Sequence, residues 1–422
     1  METTKVVHKK KVLAPKLRFK DFNEGWKSSN YKELTSMVTN GFVGVAKEHY
    51  VTSDGIIYIQ GYNIVEGGFN LHGIKQVSRE FDFKNKKSKL QFEDLLTIQT
   101  GDIGVTSVVT ETLVGSNCHA LVISRFNKNI AAPKFYMFYF NSERGRRMLK
   151  VIETGSTMKH LNVGDIIKLQ VPFPSLPEQQ KIAAFLSAVD EKIQLLKHKK
   201  KLLEQYKKGV MQQLFSGKLR FKPDAVAERS RSYPKWEEKK LGDVFEFFRG
   251  SPISKSDLCE TGKYSCIHYG ELFTSYFETI NNIKSRTNLE NGFFSKQGDI
   301  LMPSSDVTPK GLAKASSIQL DNIILGGDMN ILRPFANFNS IFFSYLLNFN
   351  QQKIIQKVTG TTVKHIYNRD VKLLKFDIPS SFEEQKKIAD FLSAIDIKIE
   401  TVAEALEATA KYKKGLLQQM FV

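Results

Sequence analysis

The chain says nearly the same thing twice. Residues 178–215 read EQQKIAAFLSAVDEKIQLLKHKKKLLEQYKKGVMQQLF, and residues 384–421 read EQKKIADFLSAIDIKIETVAEALEATAKYKKGLLQQMF. The offset is a constant 206, and 19 of the 38 paired positions are identical. A duplication of this length implies two equivalent modules and an approximate two-fold relation inside one polypeptide. Such a molecule suits a target that also comes in two halves. The repeat reaches upstream. Thr154-Gly155-Ser156-Thr157-Met158-Lys159-His160 matches Thr359-Gly360-Thr361-Thr362-Val363-Lys364-His365 at an offset of 205, which persists from Asp165 and Asp370 to Pro174 and Pro379. One inserted residue near Glu383 then makes it 206. Farther back the match loosens: Asp94-Leu95-Leu96 resembles Asp299-Ile300-Leu301, and Ile59-Gln60-Gly61-Tyr62 resembles Ile267-His268-Tyr269-Gly270. Each module therefore has a divergent front and a well-matched rear.

The rear segments are long helices by pattern. In the first, Ile182, Val189, Leu196, Leu203 and Val210 fall on heptad d, and Leu186, Ile193, Lys200, Lys207 and Leu214 on a. In the second, d holds Ile388, Ile395, Val402, Thr409 and Leu416, and a holds Leu392, Ile399, Leu406, Lys413 and Met420. An apolar column every 3.5 residues is the signature of helix-on-helix packing. The lysines at a weaken the seam locally and are expected to snorkel or to meet a partner helix. Lys197, Lys199, Lys200 and Lys201 in mid-helix one face Glu400, Glu404 and Glu407 in mid-helix two by height, which supports pairing of these helices with each other. Connectivity sets the polarity. A short linker joins the end of helix one to the second module, from which helix two must run back, so the pair is expected to be antiparallel, each helix roughly 50 Å long. Leu219-Arg220-Phe221-Lys222 follows the first helix, and Leu17-Arg18-Phe19-Lys20 near the start has no helix copy before it. The chain thus reads as a closed cycle cut between Val422 and Met1, with its termini close in space.

The fronts mix short β-rich runs (55–60, 121–124, 322–325) with Gly turns, and each carries a helical stretch (133–152, 340–358). They read as two copies of one α+β domain. The expected division is a basic N-terminal segment at 1–20, a first domain at 21–175, a helix at 176–216, a linker at 217–233, a second domain at 234–380 and a second helix at 381–422.

Net charge is +18, which favours a polyanionic partner, nucleic acid above all. Cys118, Cys259 and Cys266 form no CxxC pair. Cys259 and Cys266 with His268 lack a fourth ligand at sensible spacing, so neither a disulfide framework nor a zinc site is expected. The charged start carries no apolar signal region, and no run of 18 apolar residues is present. A soluble, reduced, cytoplasmic protein with no membrane partner is expected.

The layout of mixed domain, long helix, mixed domain, long helix resembles the specificity subunits of Type I restriction–modification systems. The PFPSLPEQQKIAAFL and DIPSSFEEQKKIADFL runs, the YKKG-[VL]-[ML]-QQ-[LM]-F helix ends and the TG-[ST]-T-x-KH segments carry the resemblance, which covers almost the whole chain. It implies two target recognition domains, each reading one half of a bipartite site in double-stranded DNA, with the antiparallel coiled coil setting the gap. It implies two DNA methyltransferase subunits as partners, acting on adenine, and two restriction subunits that cleave after ATP-driven translocation. S-adenosylmethionine, ATP and Mg would then belong to those partners, and this chain would catalyse nothing. Half-sites about one turn apart, roughly 34–36 Å, fall within reach of domains carried on helices of that length.

Candidate phosphate contacts are Lys84, Lys86, Lys87 and Lys89, the cluster Arg144, Arg146 and Arg147, and Lys159 and Lys364. The last two recur beside Gly-Ser/Thr turns whose N–H groups and hydroxyls can hold phosphate. Candidate base readers lie after the first strands: Asn40, Gln60, Tyr62 and Asn63 in the first domain, and Arg249, His268, Tyr269 and Glu271 in the second. Against each stands a plain role in a loop or the core. No Gly-rich cofactor loop, Asn/Asp-Pro-Pro-aromatic element or GxxxxGK[ST] loop is present. The loose nuclease-like set Pro223-Asp224, Glu238 and Lys240 falls at the interdomain linker, which cannot hold a metal rigidly. His160 and His365 recur without a paired nucleophile, which marks them as structural or DNA-facing. The rival reading is a coiled-coil bridge between partners that does not choose sequence; it accounts for the helices but not for two divergent basic domains.

Overall fold

The computed structural model describes residues 13–156, 159–224 and 232–422. Most of the basic start, Thr157, Met158 and linker residues 225–231 lie outside the described residues. The chain divides into two compact units, one of residues 1–198 with 403–422, the other of residues 199–402. Each is therefore one front with the near part of both long helices.

In the first unit a four-stranded antiparallel sheet runs Thr35–Asn40, Leu121–Phe126, Leu95–Ile98, Thr106–Val108. A second, mixed sheet runs Asn117–Cys118, Ile56–Ile59, Lys75–Val77, Tyr50–Val51, with its first pair parallel. The second unit repeats the plan. Its main sheet runs Phe245–Arg249, Met329–Pro334, Ile300–Pro303, Ser316–Ile318 and adds Thr279–Ile280 at the edge. Its smaller sheet runs Ser285–Thr287, Tyr264–Ile267, Ile324–Leu325, Phe293–Phe294. The chain enters and leaves each front through a two-stranded neck: Lys27–Asn30 against Gln170–Phe173, and Glu237–Lys240 against Lys375–Ile378.

The weak sequence match at Asp94 and Asp299 has a physical cause. Both carboxylates are fully buried. Arg125 binds Asp94 through two nitrogens at 2.8 and 2.7 Å, and Arg333 binds Asp299 at 2.8 and 2.8 Å. Each acid also accepts a backbone N–H three residues earlier, from Gln91 or Lys296. A buried charge survives only when paired and hydrogen-bonded in this way.

The stretches read as single helices are each broken. Pro133–Asn141 ends at Ser142, which is extended and caps Glu143–Val151 by accepting the Gly145 N–H at 3.2 Å. Ser340–Phe349 stops at Asn350 before Gln351–Ile355. The first piece of each is apolar nearly all round, with Phe135, Tyr136, Phe138, Tyr139 and Phe140 buried in one unit and Phe342, Phe343, Tyr345 and Leu346 in the other. A helix buried on every side belongs to the core; the break lets the polar piece that follows turn toward solvent.

The long helices span Leu176–Phe215 and Phe382–Gln419. In the first unit Ile182, Leu186, Val189 and Ile193 share a core with Leu416, Met420 and Phe421. In the second, Val210, Met211 and Leu214 share one with Ile388, Leu392 and Ile395. Start lies with end in both units, the pairing of helices that run in opposite directions. Toward the middle the seam thins: Val402 is buried, whereas Leu196, Leu203, Ile399 and Leu406 are half-buried. The seam lysines are paired. Lys413 binds Asp190 at 2.5 Å, and Lys207 binds Asp396 at 2.7 Å and Glu278 at 3.1 Å. Asp190 and Asp396, like Lys207 and Lys413, stand 206 residues apart, so one ion pair is a copy of the other. Cross-helix pairing within each unit thus runs through these residues, while Lys200 meets Glu204 on its own helix at 3.8 Å.

Arg18 and Arg220 explain why Leu-Arg-Phe-Lys recurs. Arg18 grips Glu178 at 2.7 and 2.8 Å, and Arg220 grips Glu384 at 2.9 and 2.7 Å. Trp26 and Trp236 donate their indole N–H to the same carboxylates at 3.0 and 3.3 Å. Phe19 packs edge-on against Phe185, as Phe221 does against Phe391. The Leu219 N–H donates to the Gln213 carbonyl at 3.0 Å, and the Leu17 N–H to the Gln419 carbonyl at 2.9 Å. The N-terminal motif thus docks on the second helix's end as its copy docks on the end of the helix just before it.

Candidate nucleic-acid interface

In each front the two ends of the TG-[ST]-T-x-KH repeat pair with one another. Thr154 and His160 exchange backbone hydrogen bonds of 3.0 and 2.9 Å, and Thr359 and His365 exchange bonds of 2.9 and 2.8 Å. Gly155 and Gly360 turn with φ of 99° and 102°, a region that side chains avoid. The residue after each paired end docks on the sheet next door: the Leu161 N–H donates to the Gln99 carbonyl at 3.0 Å, and the Ile366 N–H to the Ser304 carbonyl at 3.1 Å. Gln99 and Asn330 add side-chain bonds to the Leu161 and Ile366 carbonyls. Lys159 is exposed, its ammonium 3.6 Å from Glu153. Lys364 is half-buried and donates to the Gly360 carbonyl at 2.7 Å.

The remaining basic candidates separate by what already holds them. Lys87 and Arg144 are exposed, with no ion pair among the described residues. Lys84 pairs with Glu80 at 2.6 Å and Arg147 with Glu143 at 3.2 Å, both within one helical turn and exposed; such pairs are weak and exchange readily for a phosphate. Lys86 sits 3.7 Å over the Phe83 ring. Lys89 binds the buried Asp82 at 3.1 Å. Arg146 is committed to the fold, donating to the Ile103 carbonyl at 3.1 Å and to Glu66 at 3.1 Å.

The base-reading candidates lie at matching stations. Ile56–Ile59 corresponds to Tyr264–Ile267, and both strands run into the same capped turn. The Gln60 N–H donates to Asn63 Oδ1 at 3.0 Å, and the His268 N–H to Glu271 Oε2 at 2.8 Å. Asn63 is fully buried and also donates to the Asn70 carbonyl at 2.9 Å. Glu271 also accepts from Ser285 Oγ at 3.0 Å. These two side chains hold turns. Gln60 is half-buried and donates to the Tyr50 hydroxyl at 3.0 Å. His268 is buried, takes the Gly270 N–H on Nδ1 at 3.1 Å, and is held below the usual imidazole range by burial. Tyr269 lies against its ring at 4.6 Å. Tyr62 is 54% exposed, Arg249 is exposed at the end of its strand, and Asn40 is half-buried opposite Val122. Tyr62, Arg249, Lys87 and Arg144 thus offer the freest groups.

Sequence reasoning missed Phe42 and His119. Both follow strand ends, where a short stretch of parallel backbone pairs them. His119 was hidden because its counterpart in the second copy is not a histidine, so the repeat drew no attention to it.

No helix among the described residues is long and apolar enough to cross a membrane, and no cluster of metal-ligating side chains is found among them. The family model described as "Type I restriction modification DNA specificity domain" matches residues 23–205 and again 233–410. The MjaVIII specificity subunit of a Type I restriction enzyme from Methanocaldococcus jannaschii is 23% identical over 365 residues, 79% of each chain. A specificity subunit from Mycoplasma genitalium is 22% identical over 72% of this chain and 74% of its own. The crystal structure of the S subunit of a Type I restriction–modification system from M. genitalium has the same fold, with a TM-score of 0.63 at 18% identity over 97% of this chain and 99% of that one. A family model that matches once per copy of the repeat, over fronts and helices alike, leaves one assignment: the chain belongs to the Type I restriction–modification DNA specificity family.

Proposed function

We propose that this chain selects DNA for enzymes it does not itself contain, with each unit reading one half of a two-part duplex site. The observation that carries this reading is the pair of matching backbone frames bearing unlike groups, half-buried Gln60 and exposed Tyr62 in one and exposed Arg249 and half-buried Tyr269 in the other. Unlike side chains on one frame suit two different half-sites. Phosphate oxygens are held by Lys87, Arg144, Lys159 and Lys364, which position the duplex without choosing its sequence. The positive net charge of the chain draws it to DNA before any base is read.

Two methyltransferase subunits bind this chain and methylate adenine in each half with S-adenosylmethionine. Two restriction subunits join them and cut unmodified DNA with ATP and Mg. The chain supplies no catalytic group, and the assembly works in the cytoplasm. A bridge blind to sequence is disfavoured, since it has no use for two equal frames that differ in what they present.

Mapping of modified adenine in cells that express this chain with its methyltransferase partner tests the reading. A motif of two short defined parts, separated by a gap of fixed length and free sequence, is expected. A continuous motif, or modification without sequence preference, overturns it.

A further inference from the structure

The two fronts share one backbone junction at which their side chains are chemically opposite. In the first, Phe42 N–H donates to the Cys118 carbonyl at 2.9 Å and His119 N–H to the Ile59 carbonyl at 2.8 Å. In the second, Ser251 N–H donates to the Leu325 carbonyl at 2.9 Å and Gly326 N–H to the Ile267 carbonyl at 2.9 Å. Phe42 therefore corresponds to Ser251, and His119 to Gly326. The glycine before each is forced by close approach: a Cβ on Gly41 would lie 2.5 Å from the Cys118 oxygen, and one on Gly250 1.8 Å from the Gly326 oxygen. The frame is fixed and the cargo is not.

His119 is half-exposed and oriented. Its Nδ1 lies 3.2 Å from the hydroxyl of Tyr58, a side chain that is itself fully buried. A phenol is the better donor and an imidazole nitrogen the better acceptor, so the shared proton belongs to Tyr58. The ring's own proton then sits on Nε2, which has no hydrogen-bond partner among the described residues. Burial holds this histidine below the usual imidazole range and raises the Tyr58 phenol, so neither group ionises at neutral pH. Phe42, at 6.4 Å between ring centroids, flanks the imidazole. Val43 and Val45 beside it are 64% and 77% exposed.

We propose that His119 is a specificity-determining residue of the first unit, presenting Nε2–H as a fixed donor to an acceptor on a base edge in the major groove. The acceptors available there are guanine O6 and N7, adenine N7 and thymine O4; cytosine offers only a donor. Tyr58 is the positioning residue that keeps Nε2 protonated. Gly326 at the corresponding station of the second unit carries no side-chain donor, so this contact marks one half of the site only. The inference rests on the reading that the first unit binds one half of a two-part site.

The test uses the full chain with its methyltransferase partner and duplexes carrying the mapped motif, each position varied in turn. For His119→Ala, discrimination is expected to fall on the order of tenfold at a single base pair of one half. His119→Gln, which keeps an N–H donor, should retain part of it. The other half and the gap should stay as they were. Unchanged discrimination everywhere, or uniform weakening on all duplexes, overturns the proposal. Should the alanine variant fail to assemble, Tyr58→Phe decides: relaxed choice at one position of one half supports the proposal, and an unchanged motif refutes it. A wild-type complex that shows no two-part motif would instead undo the proposed function.

Discussion

Glu178 and Glu384 are 2% and 0% exposed, and each is neutralised by one arginine fork and accepts one indole N–H. Removing the arginine strands a charge out of water, which typically costs roughly 3–5 kcal/mol. Arg18→Ala and Arg220→Ala should each lower the urea midpoint of their own unit by a similar amount, because the partner sets are copies. A lowering confined to one of them would show that the clamps are unequal. Asn63 illustrates a limit of reading side chains by type. An amide in a loop after a strand suggested base recognition, yet its oxygen and nitrogen both bind backbone. Asn63→Ala should therefore cost about 1–3 kcal/mol per stranded group and leave the DNA motif unchanged, as methylation mapping of the variant would show. The Leu-Arg-Phe-Lys repeat was legible as a motif, but its purpose was not, since the carboxylate it holds lies 160 residues away in the chain.

At the scale of elements, the long helices were legible because their signal is local: an apolar residue every 3.5 positions announces a partner whatever that partner is. The seam's strength was not legible, because burial depends on what else packs nearby. Leu186 is fully buried and Leu196 half-buried, though both occupy apolar heptad positions. Leu186→Ala should cost about 2–5 kcal/mol, and Leu196→Ala less than half as much, by denaturant titration. The same logic explains the broken helices at Ser142 and Asn350. Helix-forming residues lie on both sides of each position, while a capping hydroxyl at Ser142 and a change from core to surface ended each helix. Cross-helix charge inside each unit sits at the seam lysines for a related reason. The mid-helix lysines looked plentiful, yet the cross-helix ion pairs inside each unit are Lys207–Asp396 and Lys413–Asp190, where seam lysines leave the apolar column. Lys413→Met combined with Asp190→Leu should be milder than either change alone, since the single variants leave a charge unmatched.

At the scale of the whole molecule, duplication was the most legible fact and the two DNA preferences the least. Sheets form by pairing residues far apart in sequence, so the fronts show little period, and the loops that differ between copies are those a repeat search discards; His119 escaped notice in that way. With 62 basic and 44 acidic residues, binding to duplex DNA should weaken by roughly a thousandfold or more between about 50 and 200 mM salt if it uses several phosphate contacts. Lys87→Ala and Arg144→Ala should each reduce the log–log salt slope by about one without altering the motif; an altered motif would place them at bases instead. The arginine clamps have one more consequence. Each fastens the chain just before a front to the helix just after it, bridging 160 and 164 residues, and the two-stranded necks lie beside them. Everything inside such a collar can be exchanged through two splice points, as a lens is changed on a fixed mount, so a new preference could be acquired by grafting one front while the rest of the instrument keeps its alignment.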